Sequence, residues 1–162
     1  MNLKQIQKDI VYLKTSSFGM IKEDELITGL SKMHVTGSYT EVTGNILDYH
    51  APYYIAHQCN TQSKRPAGLS TLIFKKYPEA NDYKRNTHGT VGTIHVIDHV
   101  INVFAQIKPG KPAGALDNST KRAEYFESCL KAIADQLPKD ATVVMVLAVV
   151  WLVDTGLHTR LY

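Results

Sequence analysis

Ile55-Ala-His-Gln-Cys-Asn60 runs into Thr61-Gln-Ser-Lys-Arg-Pro-Ala-Gly68 and then Leu69-Ser-Thr-Leu-Ile-Phe-Lys-Lys-Tyr-Pro-Glu79. The first segment is a buried-type strand ending in polar groups, the second a tight loop, the third an amphipathic helix opening on a glycine. A strand's carboxyl end feeding a helix's amino end is where α/β proteins bind anions, because free backbone N–H groups and the helix dipole converge there.

Around this segment the texture is that of one α/β domain. Val35 to Thr43 is rich in β-branched residues and ends at Gly44-Asn45, and Tyr53 to His57 reads as a short strand. Pro66 suits a first helical turn, and Leu69, Leu72, Ile73 and Tyr77 form an apolar face up to Pro78. Thr93–Ile97 and Ile101–Ile107, joined by Asp98-His99, predict a β-hairpin. Asp117 to Ser119 offers N-cap chemistry for a helix marked by Phe126, Cys129, Leu130, Ile133 and Leu137 and stopped by Pro138. Val143 to Val153 is wholly apolar, too short for a membrane span, and predicts a core strand. Leu3, Ile6, Ile10 and Leu13, then Leu26, Leu30 and Met33, recur at helical spacing, so residues 1–34 are expected to form a helical extension, with a poorly ordered leader as the alternative, ahead of a domain over 35–162. Alternating strands and helices predict an α/β sandwich with a mixed sheet.

Composition narrows the function only a little. At 162 residues, with 44% apolar and 20% charged residues, the chain is ordinary for a soluble single domain. A net charge of +3 with dispersed lysines does not point to nucleic acid. Cys59 and Cys129 lack metal spacing, and a reduced intracellular setting is expected. Met1 to Leu13 is charged and helix-periodic, so no secretory signal is expected. A His57–Cys59 nucleophile pair is disfavoured by their shared strand face, and His95 with His99 lacks a metal-ligand face.

Several of these residues together resemble the macro domain family, which binds ADP-ribose. Thr43-Gly44-Asn45-Ile46-Leu47 stands where the family has Gly-Asp-Ile or Gly-Asp-Leu, whose aspartate grips the adenine amino group. Ile55-Ala-His-Gln-Cys-Asn60 is similar to the His-Gln-Cys-Asn variant of phage and large-virus members. Gln106-Ile-Lys-Pro-Gly-Lys-Pro112 and Arg122-Ala-Glu-Tyr-Phe126 resemble the same subgroup, so the likeness covers residues 40–140. It implies a three-layer α/β/α sandwich with a mixed central sheet, in a cytoplasmic protein (host cytoplasm if viral). It also implies hydrolysis of ADP-ribose 1''-phosphate or of an ADP-ribosyl bond, without metal or other cofactor. Asn60 would orient the distal ribose and His57 would act as general acid or base. Gly44, Asn45 and Ile46 would meet the base. Ala67, Gly68, Leu69 and Ser70 would meet the diphosphate through backbone donors, with Lys108 and Lys111 as candidate phosphate contacts. The partner would be ADP-ribose, a derivative, or an ADP-ribosylated protein, and no membrane is expected. Some macro domains bind polynucleotides, which makes a nucleic-acid-associated protein a third reading, but the modest net charge argues against it here. The alternative is a reader that binds without turnover, or a relative inactivated by loss of its second loop.

Two departures matter. Asn45 replaces a charged acceptor by a neutral one, and a hydrogen bond to a charge is worth about 1.5–3 kcal/mol against about 1 for a neutral pair. The family's late glycine-rich loop is also missing: the chain has Met145-Val-Leu-Ala-Val-Val-Trp-Leu-Val-Asp-Thr-Gly-Leu-His-Thr159 instead. Joining the third base of each codon to the next two forces glycine after Met145. The positions that follow are compatible with Leu-Gly-Gly-Gly-Leu-Ala-Gly-Gly-His-Trp-Pro-Ala-Tyr. The tail is therefore read as a frameshifted form of the family's C-terminus.

Overall fold

The computed structural model describes residues 9–14 and 39–146, with side chains described over 44–145. The strands are β1 (Asp9–Lys14), β2 (Tyr39–Thr43), β3 (Tyr54–Asn60), β4 (Ile94–Ile97), β5 (Val100–Gln106) and β6 (Thr142–Val146). The helices are α1 (Leu69–Lys76), the single turn α2 (Asp82–Arg85) and α3 (Ser119–Gln136).

The chain folds as an α/β protein on one open, mixed sheet. β6, β3, β5 and β4 lie side by side, and the backbones of β1 and β2 extend them to six strands in the order β2-β1-β6-β3-β5-β4. Every neighbouring pair is parallel except β4–β5, which is antiparallel. All seven positions of β5 are buried, and β3 is buried at Ile55, Ala56, His57, Cys59 and Asn60. Successive side chains of a strand point to opposite faces, so both faces of these strands are covered.

Local chemistry accounts for most boundaries. The hairpin forms as expected, with Ile97 opposite Val100 and Asp98 at φ 54, a left-handed conformation that aspartate tolerates. Asn118 caps α3 by accepting the Lys121 N–H at 2.8 Å. Phe126, Cys129, Leu130 and Ile133 then form its buried stripe, packed along β5. Gly68 opens α1 at φ 55 and ψ −131, a combination that favours glycine.

Two expectations are corrected. Asp9–Lys14 is a strand between β2 and β6, not helix. Ile10-Val-Tyr-Leu13 is a short apolar run, β-branched at its start, and such runs fit helical spacing and extended pairing equally; tertiary pairing decides. The rest of residues 1–34 lies outside the described residues. Leu72 is exposed, because the stripe of α1 that faces the protein is Ser70, Ile73 and Phe74. The expected strand over Val143–Val153 is present as Thr142–Val146, and the altered tail beyond it lies outside the described residues. No described helix is long and apolar enough to cross a membrane.

Candidate functional site

Because β2, β3, β5 and β6 are mutually aligned, their carboxyl ends share one edge of the sheet. Gly44-Asn45-Ile46, the Thr61–Gly68 loop and the Ile107–Asn118 loop all leave from that edge. β2 and β3 are separated by β1 and β6, so the turn at Asn45 starts about 14 Å along the edge from the end of β3, at three strand spacings.

Each loop is held by its own polar chemistry. Asn45 Oδ1 accepts the Leu47 N–H at 3.0 Å and caps the short turn Ile46–Asp48, in which Ile46 is buried. Asn60 Oδ1 accepts from the Gln62 and Ser63 N–H groups at 3.0 and 2.7 Å, and its Nδ2 lies 3.4 Å from the Tyr83 hydroxyl. The Tyr83 hydroxyl also accepts the Asn60 N–H at 2.9 Å. Asn60 is thus the cap that turns the chain out of β3. His88 Nε2 donates to Ser63 O at 2.5 Å and ties this loop to the segment after α2, while the Thr61 N–H donates to Ile107 O at 3.2 Å and joins it to the Ile107–Asn118 loop.

The loop after β5 is built around a buried ion pair. Arg122 is wholly buried, with Nε donating to Asp117 Oδ1 at 3.0 Å and Nη2 to Oδ2 at 2.9 Å. Its remaining donors reach Gln106 Oε1 and the carbonyls of Lys108, Gly110 and Lys111, at 3.0, 3.1, 2.7 and 3.4 Å. Asp117 also accepts the Ile107 and Lys108 N–H groups. Burial alone would raise the Asp117 carboxyl, but the bonds from Arg122 and these two amides outweigh it and hold its pKa below the ordinary value. With three carbonyls turned in to the guanidinium, the loop has a set course and carries Lys108 and Lys111 exposed.

His57 differs from the expectation for it. It is 1% exposed, with both ring nitrogens engaged: Nε2 at 2.6 Å from Asn102 Oδ1 and Nδ1 at 3.0 Å from Ser70 Oγ. Asn102 Nδ2 donates to Ala80 O and Asp82 Oδ2, both at 2.7 Å, which turns Oδ1 toward His57. The proton therefore sits on Nε2, and Nδ1 accepts from the Ser70 hydroxyl. Burial pushes the imidazole pKa down to about 4, against a smaller opposing effect of Asn102 and Asp82. An enclosed imidazole with both nitrogens engaged presents no open face, and His57 pins α1 to β3.

The network continues outward through Asp82, which accepts from Thr87 and His95 at 2.5 and 2.8 Å. Burial opposes ionisation of Asp82, but the bonds from Thr87, Asn102 and His95 prevail and lower its pKa. Cys59 Sγ lies 3.7 Å from His57 Nε2, but burial raises its thiol far above the usual range, and Cys129 is pushed up to about 12 for the same reason. Both are held as buried free thiols. Among the described residues no group of three His, Cys, Asp or Glu side chains is placed to hold a metal.

The His57 arrangement has a pH signature. Its folded pKa lies below its unfolded value of 6.5, so between pH 6.5 and about 4 only the unfolded chain takes up the proton. Stability is complete above that window and should fall by about 3 kcal/mol on crossing it downward. Urea unfolding of the protein and of His57→Gln across this range checks it. The substituted chain should have the flatter profile, and equal slopes would contradict the assignment.

The resemblance had named Gly44, Asn45, Ile46, Asn60, Ala67, Gly68, Leu69, Ser70, Lys108 and Lys111. The topology sends their loops to one edge, with Gly44, Asn45, Ala67, Gly68, Lys108 and Lys111 exposed and Ile46, Asn60 and Ser70 buried. The sequence reading gives Asn102, Asp82 and Tyr83 no role; it offers Asp117 as a helix cap and Arg122 as part of a family-like segment, whereas Asp117 is the buried partner of Arg122 and Asn118 is the cap. One signal was available: Asn102 is a polar residue inside an apolar strand, which requires a buried partner. No family model matches this chain, and comparison with curated proteins and with solved structures finds no match.

Proposed function

We propose that this chain binds ADP-ribose or a derivative along the carboxyl edge of its sheet, as a macro-domain-like binding module without turnover. The observation that carries the reading is topological: three segments quoted for the family resemblance leave one sheet edge. Burial of every position of β5 supports the three-layer sandwich that the resemblance implies. The base would lie by Gly44-Asn45-Ile46 and the diphosphate by the exposed Ala67-Gly68 at the amino end of α1. Exposed Lys64, Arg65, Lys108 and Lys111 add positive charge to the same loops.

Hydrolysis needs a group that gives or takes a proton at the ribose, and neither residue proposed for it is suited. His57 is enclosed, and the Asn60 carbonyl oxygen is occupied by two backbone donors. Both act as positioning residues in this reading. The target would be the free nucleotide or an ADP-ribosylated protein. Calorimetric titration with ADP-ribose should give saturable binding, and ADP-ribose 1''-phosphate should bind without releasing phosphate. No heat with either ligand removes the binding reading; phosphate release restores the hydrolase.

Asn60→Ala should weaken ADP-ribose binding about three- to tenfold, because the lost cap leaves two loop N–H groups without their partner and loosens the turn between β3 and α1. An unchanged titration curve would show that this turn does not touch the ligand.

A further inference from the structure

The acceptor of Asn45 is already committed. Its Oδ1 takes the Leu47 N–H at 3.0 Å, and a backbone N–H can only donate, so the cap fixes which end of the amide faces inward. The other end, the Nδ2 amine, belongs to an exposed side chain and has no partner among the described residues. An aspartate at this position would keep one oxygen on the cap and present its second oxygen as an acceptor. Asparagine in the same pose presents two N–H donors. The substitution therefore reverses the hydrogen-bonding polarity of this point as well as removing its charge.

We infer that this position selects a nucleotide whose base offers an acceptor, a keto oxygen, over one that offers an exocyclic amine. The ligand class is a nucleoside diphosphate ribose carrying a 6-oxopurine, with adenine the poorer base. The inference rests on the reading above that the base lies by Asn45. An adenine amine brought to Nδ2 sets donor against donor, and each group gives up water without gaining a bond. A keto oxygen at the same place accepts from Nδ2 directly. Neither arrangement disturbs the Leu47 cap.

The test is titration of the full chain with ADP-ribose and with inosine diphosphate ribose, which carry an amine and a keto oxygen at the same purine position. Inosine diphosphate ribose should bind about three- to tenfold tighter, the worth of one exposed neutral hydrogen bond. Asn45→Asp keeps the cap, since aspartate caps as well as asparagine, and should reverse the order. Its free oxygen accepts from the amine and repels the keto group. An exchange rate of the Leu47 amide equal to that of the parent shows that the turn is intact in that variant. Equal affinities unaffected by the substitution, or a preference of the unaltered chain for ADP-ribose, overturn the base preference while leaving the binding site standing. Failure of both ligands to bind overturns the site and the inference with it.

Discussion

Arg122→Met should destabilise the protein by about 3–5 kcal/mol, the cost of leaving a buried charge without its partner. Asp117 is 3% exposed and would keep only the Ile107 and Lys108 amides, while Gln106 Oε1 and three carbonyls of the loop would lose donors. Methionine matches much of the arginine stem, so little of the loss would come from a cavity. For a chain of this length such a change corresponds to a fall in melting temperature of roughly 6–20 °C. Chemical denaturation read at constant slope measures it directly. Adding Asp117→Asn should recover part of the loss, because the uncompensated charge is gone while one oxygen still accepts from the loop. A single variant within about 1 kcal/mol of the parent, or a double variant no better than the single, would show that the pair is not the organiser of the Ile107–Asn118 loop. Acid should act on the same pair. The Asp117 pKa is depressed in the fold, so its contribution is complete above the unfolded carboxylate value and is lost as pH falls through the folded one. That loss lies below the window in which His57 acts.

Replacing everything after Met145 by Gly-Leu-Gly-Gly-Gly-Leu-Ala-Gly-Gly-His-Trp should raise ADP-ribose affinity by about ten- to hundredfold. The position of β6 is the reason for expecting so much. It lies between β1 and β3, so a segment that follows it starts at the middle of the edge, between the turn at Asn45 and the loop after Asn60. A glycine-rich segment can bring successive backbone N–H groups close to phosphate and accept positive φ. Two hydrogen bonds to a charged group at about 1.5–3 kcal/mol each, less the entropy of ordering the loop, correspond to that range of affinity. Val149, Val150 and Val153 are β-branched and resist the left-handed conformations such a loop requires. Calorimetry on the parent and the replaced chain makes the comparison. The frameshift reading fails if affinity is unchanged, or if the coding sequence does not hold that peptide in the neighbouring frame.

The local elements were legible wherever one physical effect dominated a short window. The Gly68 helix start, the Asp98-His99 hairpin, the cap ahead of α3 and its Phe126–Ile133 stripe each follow from residue chemistry within a few positions. Asp9–Lys14 was not legible, because its apolar residues satisfy helical spacing and extended pairing equally, and only β2 and β6 on either side choose between them.

The site divides along the same line. Sequence alone determined that a strand, a glycine-bearing loop and a helix follow one another at Asn60 to Leu69, and that asparagine stands at position 45, because these are properties of order and residue type. Only the tertiary structure decided the protonation and direction of those groups. His57 reads in sequence as a histidine that titrates near neutrality; Asn102 and Ser70 close both its nitrogens and burial keeps it neutral. Arg122 reads as one more cation on an amphipathic helix, and its burial depends on Asp117, Gln106 and three carbonyls brought in from a separate loop. Asn45 reads as a weaker acceptor, and its cap on Leu47 turns it into a donor. The reason is common to all three. A hydrogen-bonding group is defined by the partner it has already taken, and long-range folding supplies those partners for His57 and Arg122, while the turn geometry at the end of β2 supplies the one for Asn45.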